Sequence, residues 1–194
     1  MQWARSGLFQ GKPMLAIANG AGAERAYQAV AGPDLEMVCS VGFCGALDPK
    51  LGIADIVVGT GVNGETIDSP KCAIEHQRGN IASLGHVVQS ASEKRALHEA
   101  GSIAVEMEAL GALRRARAEG VPFHCVRAVS DQAGEDLHCN FNRALRDDGK
   151  FDTWRLIGDA ALHPLTCLPE LVRLAKRTEV ATERLGEFLA SCEF

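Results

Sequence analysis

The chain has 194 residues, of which 46% are hydrophobic and 23% charged, and its formal net charge is −5. This length and composition predict one globular domain over residues 1–194. The acidic balance argues against nucleic-acid binding, which normally needs a basic surface. No apolar run approaches the ~20 residues that cross a bilayer, and no signal-peptide core precedes Lys12, so we expect no transmembrane segment and a cytoplasmic protein.

The chain contains seven cysteines, an odd number without a Cys-x-x-Cys pair. This pattern indicates reduced thiols in a cytosolic protein. Two His-Cys dipeptides, at 124–125 and 138–139, lack the ligand spacing of a zinc site. We therefore predict neither a metal nor a cofactor. The arginine-rich stretch at 114–117 is typical of a solvated helix face.

In the first half of the chain, short apolar runs end in glycine-rich turns. Residues 14–18 (MLAIA) predict a strand, followed by a turn and a helix from about Ala23. This turn resembles an anion-binding loop, although a plain strand-to-helix turn is an equal alternative. The runs at 36–41 and 54–62 predict further strands, and residues 63–80 predict a long loop.

The second half alternates strands and helices. Ser90 and Glu93 have the spacing of a capping box and predict a helix that ends near Gly101, and a second helix is expected to end at Gly120. One or two amphipathic helices are predicted from Leu168 onward. The predicted strands are 85–89, 103–107 and 123–129. This alternation predicts βαβ units and a largely parallel sheet.

Two predicted strands end in carboxylates: Glu108 follows 103–107, and Asp131 follows 123–129. Ligands of open parallel sheets bind outside the carboxyl ends of the strands, so both carboxylates face one crevice if these strands are neighbours. Alternatively, Glu108 is a first-turn residue favoured by the helix dipole, and Asp131 is an N-cap. Glu106 is interpreted as a buried, paired charge.

Residues 102–131, SIAVEMEALGALRRARAEGVPFHCVRAVSD, resemble the V-[ED]-M-E … R-x-[IV]-S-D segment of the nucleoside phosphorylase and methylthioadenosine/S-adenosylhomocysteine nucleosidase superfamily. Residues 40–58, SVGFCGALDPKLGIADIVV, resemble its G-x-x-G-[GA]-L … G-D-[IL]-V segment. The resemblance covers residues 12–135 and implies an α/β fold, a single-domain three-layer α/β/α arrangement around a central, largely parallel mixed sheet. Because residues 7–22 align with the family's second strand region, it also implies that the usual first strand is lacking.

The resemblance implies cleavage of the N-ribosidic bond of a purine nucleoside, with phosphate or water as acceptor. Asp131 would be the acid that protonates the purine, positioned by Ser130 and Arg127. Glu108 would accept hydrogen bonds from the ribose hydroxyls, and its charge would stabilise the cation that develops on the sugar. Met107 would pack against the sugar.

Further contacts are implied by the same resemblance. The additional substrate-binding candidates are Gly42, Phe43, Cys44, Val88, Gln89 and Ser90. The phosphate-binding candidates are Ser40, Gly20 and Gly22. Many phosphorylases carry a phosphate-binding serine at the position of Phe43, whose side chain has no hydrogen-bond donor.

The stretches SASEKRAL, DGKFDTWRL and LPELVRLAK are similar to the hopanoid-associated phosphorylase-like group. This similarity implies a 5′-modified adenosine such as adenosyl-hopane as substrate, and the wider resemblance implies a homodimer or larger homo-oligomer. The alternative is a catalytically impaired nucleoside-binding or scaffold protein of the same fold. The lacking first strand and Phe43 motivate that alternative.

Overall fold

The computed structural model describes residues 3–30 and 35–194. The segment predicted to contain no signal-peptide core begins with Met1 and Gln2, and these two residues lie outside the described residues. The strands are β1 Trp3–Phe9, β2 Lys12–Ala18, β3 Val38–Ala46, β4 Ile56–Val62, β5 Glu65–Thr66, β6 Lys71–Cys72, β7 Gln77–Ser83, β8 Ser102–Glu106, β9 Phe123–Asp131 and β10 Cys192–Glu193. The helices are α1 Ala23–Ala29, α2 Ala91–Glu99, α3 Ala109–Glu119, α4 Phe141–Ala144, α5 Thr153–Leu162 and α6 Cys167–Ala190.

Six strands form the central sheet, in the order β5-β4-β7-β8-β3-β9, and β4 also pairs with β9. Three of the strand pairings (β3–β9, β4–β7 and β7–β8) are parallel, and three (β3–β8, β4–β9 and β4–β5) are antiparallel. Helices α1 and α3 pack against one side of the sheet, and α6 packs against the other. The expected α/β fold with a mixed central sheet is confirmed, although within the described residues antiparallel pairings equal parallel ones in number.

Strands β1 and β2 form a separate antiparallel hairpin, in register from Trp3 opposite Ala18 to Phe9 opposite Lys12. Its two-residue turn has positive φ at both positions, which matches the twist of the flanking strands. Within the described residues the hairpin does not pair with the six-stranded sheet. The apolar run at 14–18 is therefore a strand, as predicted, but it belongs to this hairpin.

The prediction of a strand at 85–89 is wrong. The strand in this part of the chain is β7, which begins inside the stretch 63–80 that was predicted to be a loop. Two short apolar runs lie on either side of Gly85, and periodicity cannot decide which of them pairs. Pairing with β4 and β8 selects the first run, in which Ile81 is fully buried.

The predicted helix boundaries in the second half are largely confirmed. The Ser90 hydroxyl accepts a hydrogen bond from the Glu93 amide at the start of α2, at 3.2 Å. Gly120, in the left-handed region at φ 70°, ends α3. The C-terminal apolar pattern forms one 24-residue helix, α6.

Four cysteines are paired in two disulfides. Cys72–Cys192 joins β6 to β10, and Cys139–Cys167 joins the segment before α4 to the first residue of α6. The expectation of reduced thiols is wrong for these four residues. The pairs are 120 and 28 residues apart in sequence, and only the folded chain brings them together.

Reduction is expected to lower the free energy of unfolding by about 2–4 kcal/mol, because a disulfide that closes a long loop restricts the unfolded chain. Urea titration with and without dithiothreitol measures this change. Cys72→Ser should lose part of the sensitivity to reductant, whereas Cys39→Ser, at a free cysteine, should keep it. An unfolding curve that reductant does not shift would contradict the pairing.

Candidate active site

Gly45 of β3 lies between the two strand ends that carry carboxylates. It lies opposite Val105 of β8 on one side and Asp131 of β9 on the other. A Cβ atom at this position would stand 2.9 Å from Asp131 Oδ2, so the close approach requires glycine. The condition that β8 and β9 be neighbours is not met, because β3 lies between them. Since β8 runs antiparallel to β3, both strand ends nevertheless reach the same stretch of β3.

Asp131 is the last residue of β9 and is only 8% exposed, so the N-cap alternative is wrong. The Ser130 hydroxyl donates to Asp131 Oδ1 at 2.9 Å, and the Cys44 carbonyl also lies within reach of this hydroxyl, at 3.1 Å. Ser130 thus contacts Asp131 directly, and its positioning role stays a prediction. The other carboxylate oxygen, Oδ2, lies 2.5 Å from Lys94 Nζ.

Lys94 was missed by the sequence analysis. It lies on α2, fully buried, and its ammonium donates to Asp131 Oδ2, to the Gln132 carbonyl at 2.8 Å and to the Glu135 carbonyl at 3.2 Å. These three acceptors match the three donor hydrogens of an ammonium group. The available signal was spacing, because Lys94 stands three residues before Leu97, on the inward face of the helix.

Arg127 does not contact Asp131, so the expectation that it positions this acid is wrong. Its Nη1 and Nη2 donate to the carbonyl and the hydroxyl of Ser40, each at 2.7 Å, and Nη2 lies 2.5 Å from Glu106 Oε2. Arg127 projects from β9 at the level of Gly42, about four residues before Asp131, and this offset directs it to a different carboxylate. The prediction of Glu106 as a buried, paired charge is confirmed.

Glu106 also caps α3, since its Oε2 accepts from the amides of Glu108 at 2.9 Å and Ala109 at 2.8 Å. Burial alone would raise the pKa of Glu106, but the charge and hydrogen bond of Arg127 outweigh burial and hold that pKa below its usual value. The amides at the start of α3 thus donate to a carboxylate whose negative charge is favoured at a helix N-terminus. The side chain of Glu108 makes no capping bond.

Glu108 instead faces the loop before α1, where its Oε1 accepts from the Gly22 amide at 3.3 Å. Gly22 has φ 108°, a conformation that side chains rarely adopt. Burial raises the pKa of Glu108, and the negative charge of Glu106 raises it further. Glu106 and Glu108 therefore differ in pKa, because Arg127 binds Glu106 directly.

A cavity of about 420 Å³ opens between the hairpin, α1 and β3. Its polar groups include Glu108, Arg127, Ser40 and Asn19, and Gly20 also borders it. The remaining walls are mainly apolar side chains of β2, α1 and β3. A pocket with an apolar lining and a few converging polar groups is the common form of a small-molecule site.

The other predicted contacts fall into two groups. Gly42, Phe43, Cys44 and Met107 lie beside the carboxylates on β3 and after β8. Gly42 has open space at its Cα, and Phe43 is 37% exposed, whereas Cys44 and Met107 are buried.

Val88, Gln89 and Ser90 instead hold the chain before α2 in place. Val88 is buried, and Gln89 Nε2 donates to the Cys139 carbonyl at 2.6 Å. Ser90 is the N-cap of α2. Across residues 3–30 and 35–194, no cluster of three or more His, Cys, Asp or Glu side chains could hold a metal ion.

Comparisons with known proteins support the resemblance of the chain to the nucleoside phosphorylase and methylthioadenosine/S-adenosylhomocysteine nucleosidase superfamily. The sequence model of the Phosphorylase superfamily matches residues 71–153. That range includes Lys94, Glu108 and Asp131.

A 5′-methylthioadenosine/S-adenosylhomocysteine nucleosidase of Glaesserella parasuis is 27% identical, over 57% of this chain and 62% of its own length. The match therefore spans about three fifths of that curated relative.

Among solved structures, the Helicobacter pylori enzyme of the same name superposes with a TM-score of 0.60 at 20% identity, covering 83% of this chain and 85% of its own. Futalosine hydrolase of the same organism gives 0.60 at 19% identity, covering 83% and 84%. These structures show that the fold is shared.

Proposed function

We propose that the protein cleaves the N-ribosidic bond of a purine nucleoside. The observation that carries this proposal is that Glu108 follows β8 and Asp131 ends β9, the two strands that flank β3, and that the two carboxylates have different surroundings. Glu108 borders a cavity large enough for a small molecule. Asp131 is fixed by a hydroxyl and an ammonium group. Enzymes that break glycosidic bonds typically use two acidic groups in different surroundings for two different roles.

In the proposed reaction, Asp131 delivers a proton to the purine as the ribosidic bond breaks. The proton passes from the Lys94 ammonium to Asp131 Oδ2 and on to the purine, which leaves Lys94 neutral until the proton released by the attacking water restores it. Glu108 binds the ribose hydroxyls, and its charge stabilises the cation that forms on the sugar. This electrostatic contribution is greater in the transition state than in the ground state, so it accelerates the reaction.

We further propose that water, rather than phosphate, accepts the ribosyl group. Arg127 is the only cation among the described residues that line the cavity, and it is already paired with Glu106. Glu106 and Glu108 would repel a phosphate dianion, and Phe43 offers it no donor. Arg127 Nε is buried without a protein partner among the described residues, and a water molecule could accept its hydrogen bond.

The proposed substrate is an adenosine that carries a 5′ substituent. The named relatives act on 5′-methylthioadenosine and S-adenosylhomocysteine, which share this feature. The similarity of three sequence stretches to the hopanoid-associated group adds adenosyl-hopane to the candidates. The three compounds differ only beyond the 5′ carbon, so the roles of Glu108 and Asp131 are the same for each.

The test is a product assay on the full chain with 5′-methylthioadenosine, S-adenosylhomocysteine and adenosyl-hopane. We expect adenine and the free ribose product, with no ribose 1-phosphate and no acceleration when phosphate is added. Phosphate-dependent formation of a ribose 1-phosphate would contradict water as the acceptor. Binding in calorimetry without adenine release would favour the alternative of a catalytically impaired binding protein.

A further inference from the structure

Residues 153–176, which form α5, the following turn and the first part of α6, carry an exposed apolar surface. Six large side chains in this stretch are at least half exposed, and Leu165 is 90% exposed. We call this set the apolar ridge. Its members are Trp154, Ile157, Leu162, Leu165, Leu168 and Val172. A contiguous apolar surface of this kind marks an interaction site more often than scattered exposed residues do.

The ridge follows the helix periodicity. Trp154 and Ile157 are three residues apart on α5, and Leu168 and Val172 are four apart on α6, so each pair lies on one helix face. Leu165, in the turn between the helices, is the most exposed member. On α6, Leu168 and Val172 border an open cleft together with Arg173 and Lys176.

The charges around the ridge are unlike those of the whole chain, whose net charge is −5. Residues 153–176 contain two acids, and both accept hydrogen bonds from backbone amides. Glu170 is 1% exposed and accepts from the His138 amide at 2.7 Å, and Asp159 accepts from the Asn140 amide. Arg173 and Lys176 are exposed and form no ion pair within the described residues. Arg173 and Lys176 therefore border the ridge, and the next exposed carboxylate on this face of α6 is Glu179, three residues beyond Lys176.

We propose that the apolar ridge docks on an anionic lipid surface. Exposed tryptophan and leucine side chains next to lysine and arginine are the composition of helices that lie in the membrane interface. A second copy of the chain is the competing occupant, and the experiment below distinguishes it from a lipid surface. Within the described residues no helix is long and apolar enough to cross a bilayer, so docking is peripheral.

Vesicle binding of the full chain tests this proposal. In a Trp3→Phe variant, Trp154 is the only tryptophan, and its emission should shift to the blue with phosphatidylcholine vesicles that contain phosphatidylglycerol. Vesicles of phosphatidylcholine alone should bind more weakly, as should anionic vesicles at high salt. Arg173→Gln and Lys176→Gln should each weaken binding about fivefold. Leu165→Ser should weaken it at least about tenfold.

The matched control is Leu8→Ser, which removes a leucine that is 72% exposed on the hairpin and should leave vesicle binding unchanged. Equal losses in Leu8→Ser and Leu165→Ser would overturn the proposal. So would the absence of vesicle binding together with an oligomer, seen by light scattering, that Leu165→Ser dissociates. In that case a second copy covers the ridge. Adenine release plays no part in these measurements, so their result is independent of the proposed activity.

Discussion

Asp131→Asn is expected to lower the rate of adenine release by about 10²–10⁴-fold, the usual contribution of a general acid. Asparagine has nearly the shape of aspartate, and its amide oxygen can still accept the Ser130 hydroxyl, which lies 2.9 Å from Asp131 Oδ1. The amide cannot carry the acid proton, so substrate binding is retained while proton delivery is lost. We therefore expect the loss in kcat, with a small change in KM.

The control is Asp159→Asn, which makes the same chemical change at an aspartate on α5 that accepts only from a neighbouring amide in the described contacts. Its rate should match that of the unmodified protein. Steady-state release of adenine, followed by chromatography, gives both rates. If Asp131→Asn stays within about threefold of the unmodified protein, Asp131 is not the acid, because that ratio is far below the contribution of general acid catalysis.

The parts of the site that sequence could predict are those set by neighbouring residues. Ser130 contacts Asp131 because it is adjacent, and Ser90 caps α2 because its spacing from Glu93 is local. Glu106 was predicted as a paired charge from alternation along its strand. Helix ends at Gly120 and strand positions around glycine turns follow from the same short-range rules.

The missed parts depend on contacts between distant segments. Lys94 and Asp131 are 37 residues apart, and nothing local in α2 shows that its lysine meets the end of β9. Arg127 was assigned to the wrong carboxylate because it projects from β9 four residues before Asp131 and reaches across β3 to Glu106 of β8. Cys72 and Cys192 meet only once α6 has packed on the sheet. In each case the sequence identifies the side chain, and the tertiary fold determines its partner.

Lys94→Met is expected to lower the free energy of unfolding by about 3–5 kcal/mol, the cost of removing one partner from a buried ion pair. The substitution also leaves the Gln132 and Glu135 carbonyls without their donor. Denaturation by urea measures the change. Lys50→Met, at an exposed lysine, is the control and should change stability by less than about 0.5 kcal/mol. Equal stability of the two variants would show that the Lys94–Asp131 pair does not form.

The double variant Lys94→Met/Asp131→Asn separates the stabilising role of this pair from its proposed part in proton delivery. With both charges removed, no uncompensated charge stays buried, so the double variant should recover about 0.5–3 kcal/mol relative to the sum of the single changes. Adenine release should not recover, because the acid is absent. If adenine release returned with stability, Asp131 would not be the acid. Recovery of stability alone would show that the two buried charges compensate each other, while the reaction still requires the Asp131 carboxyl group.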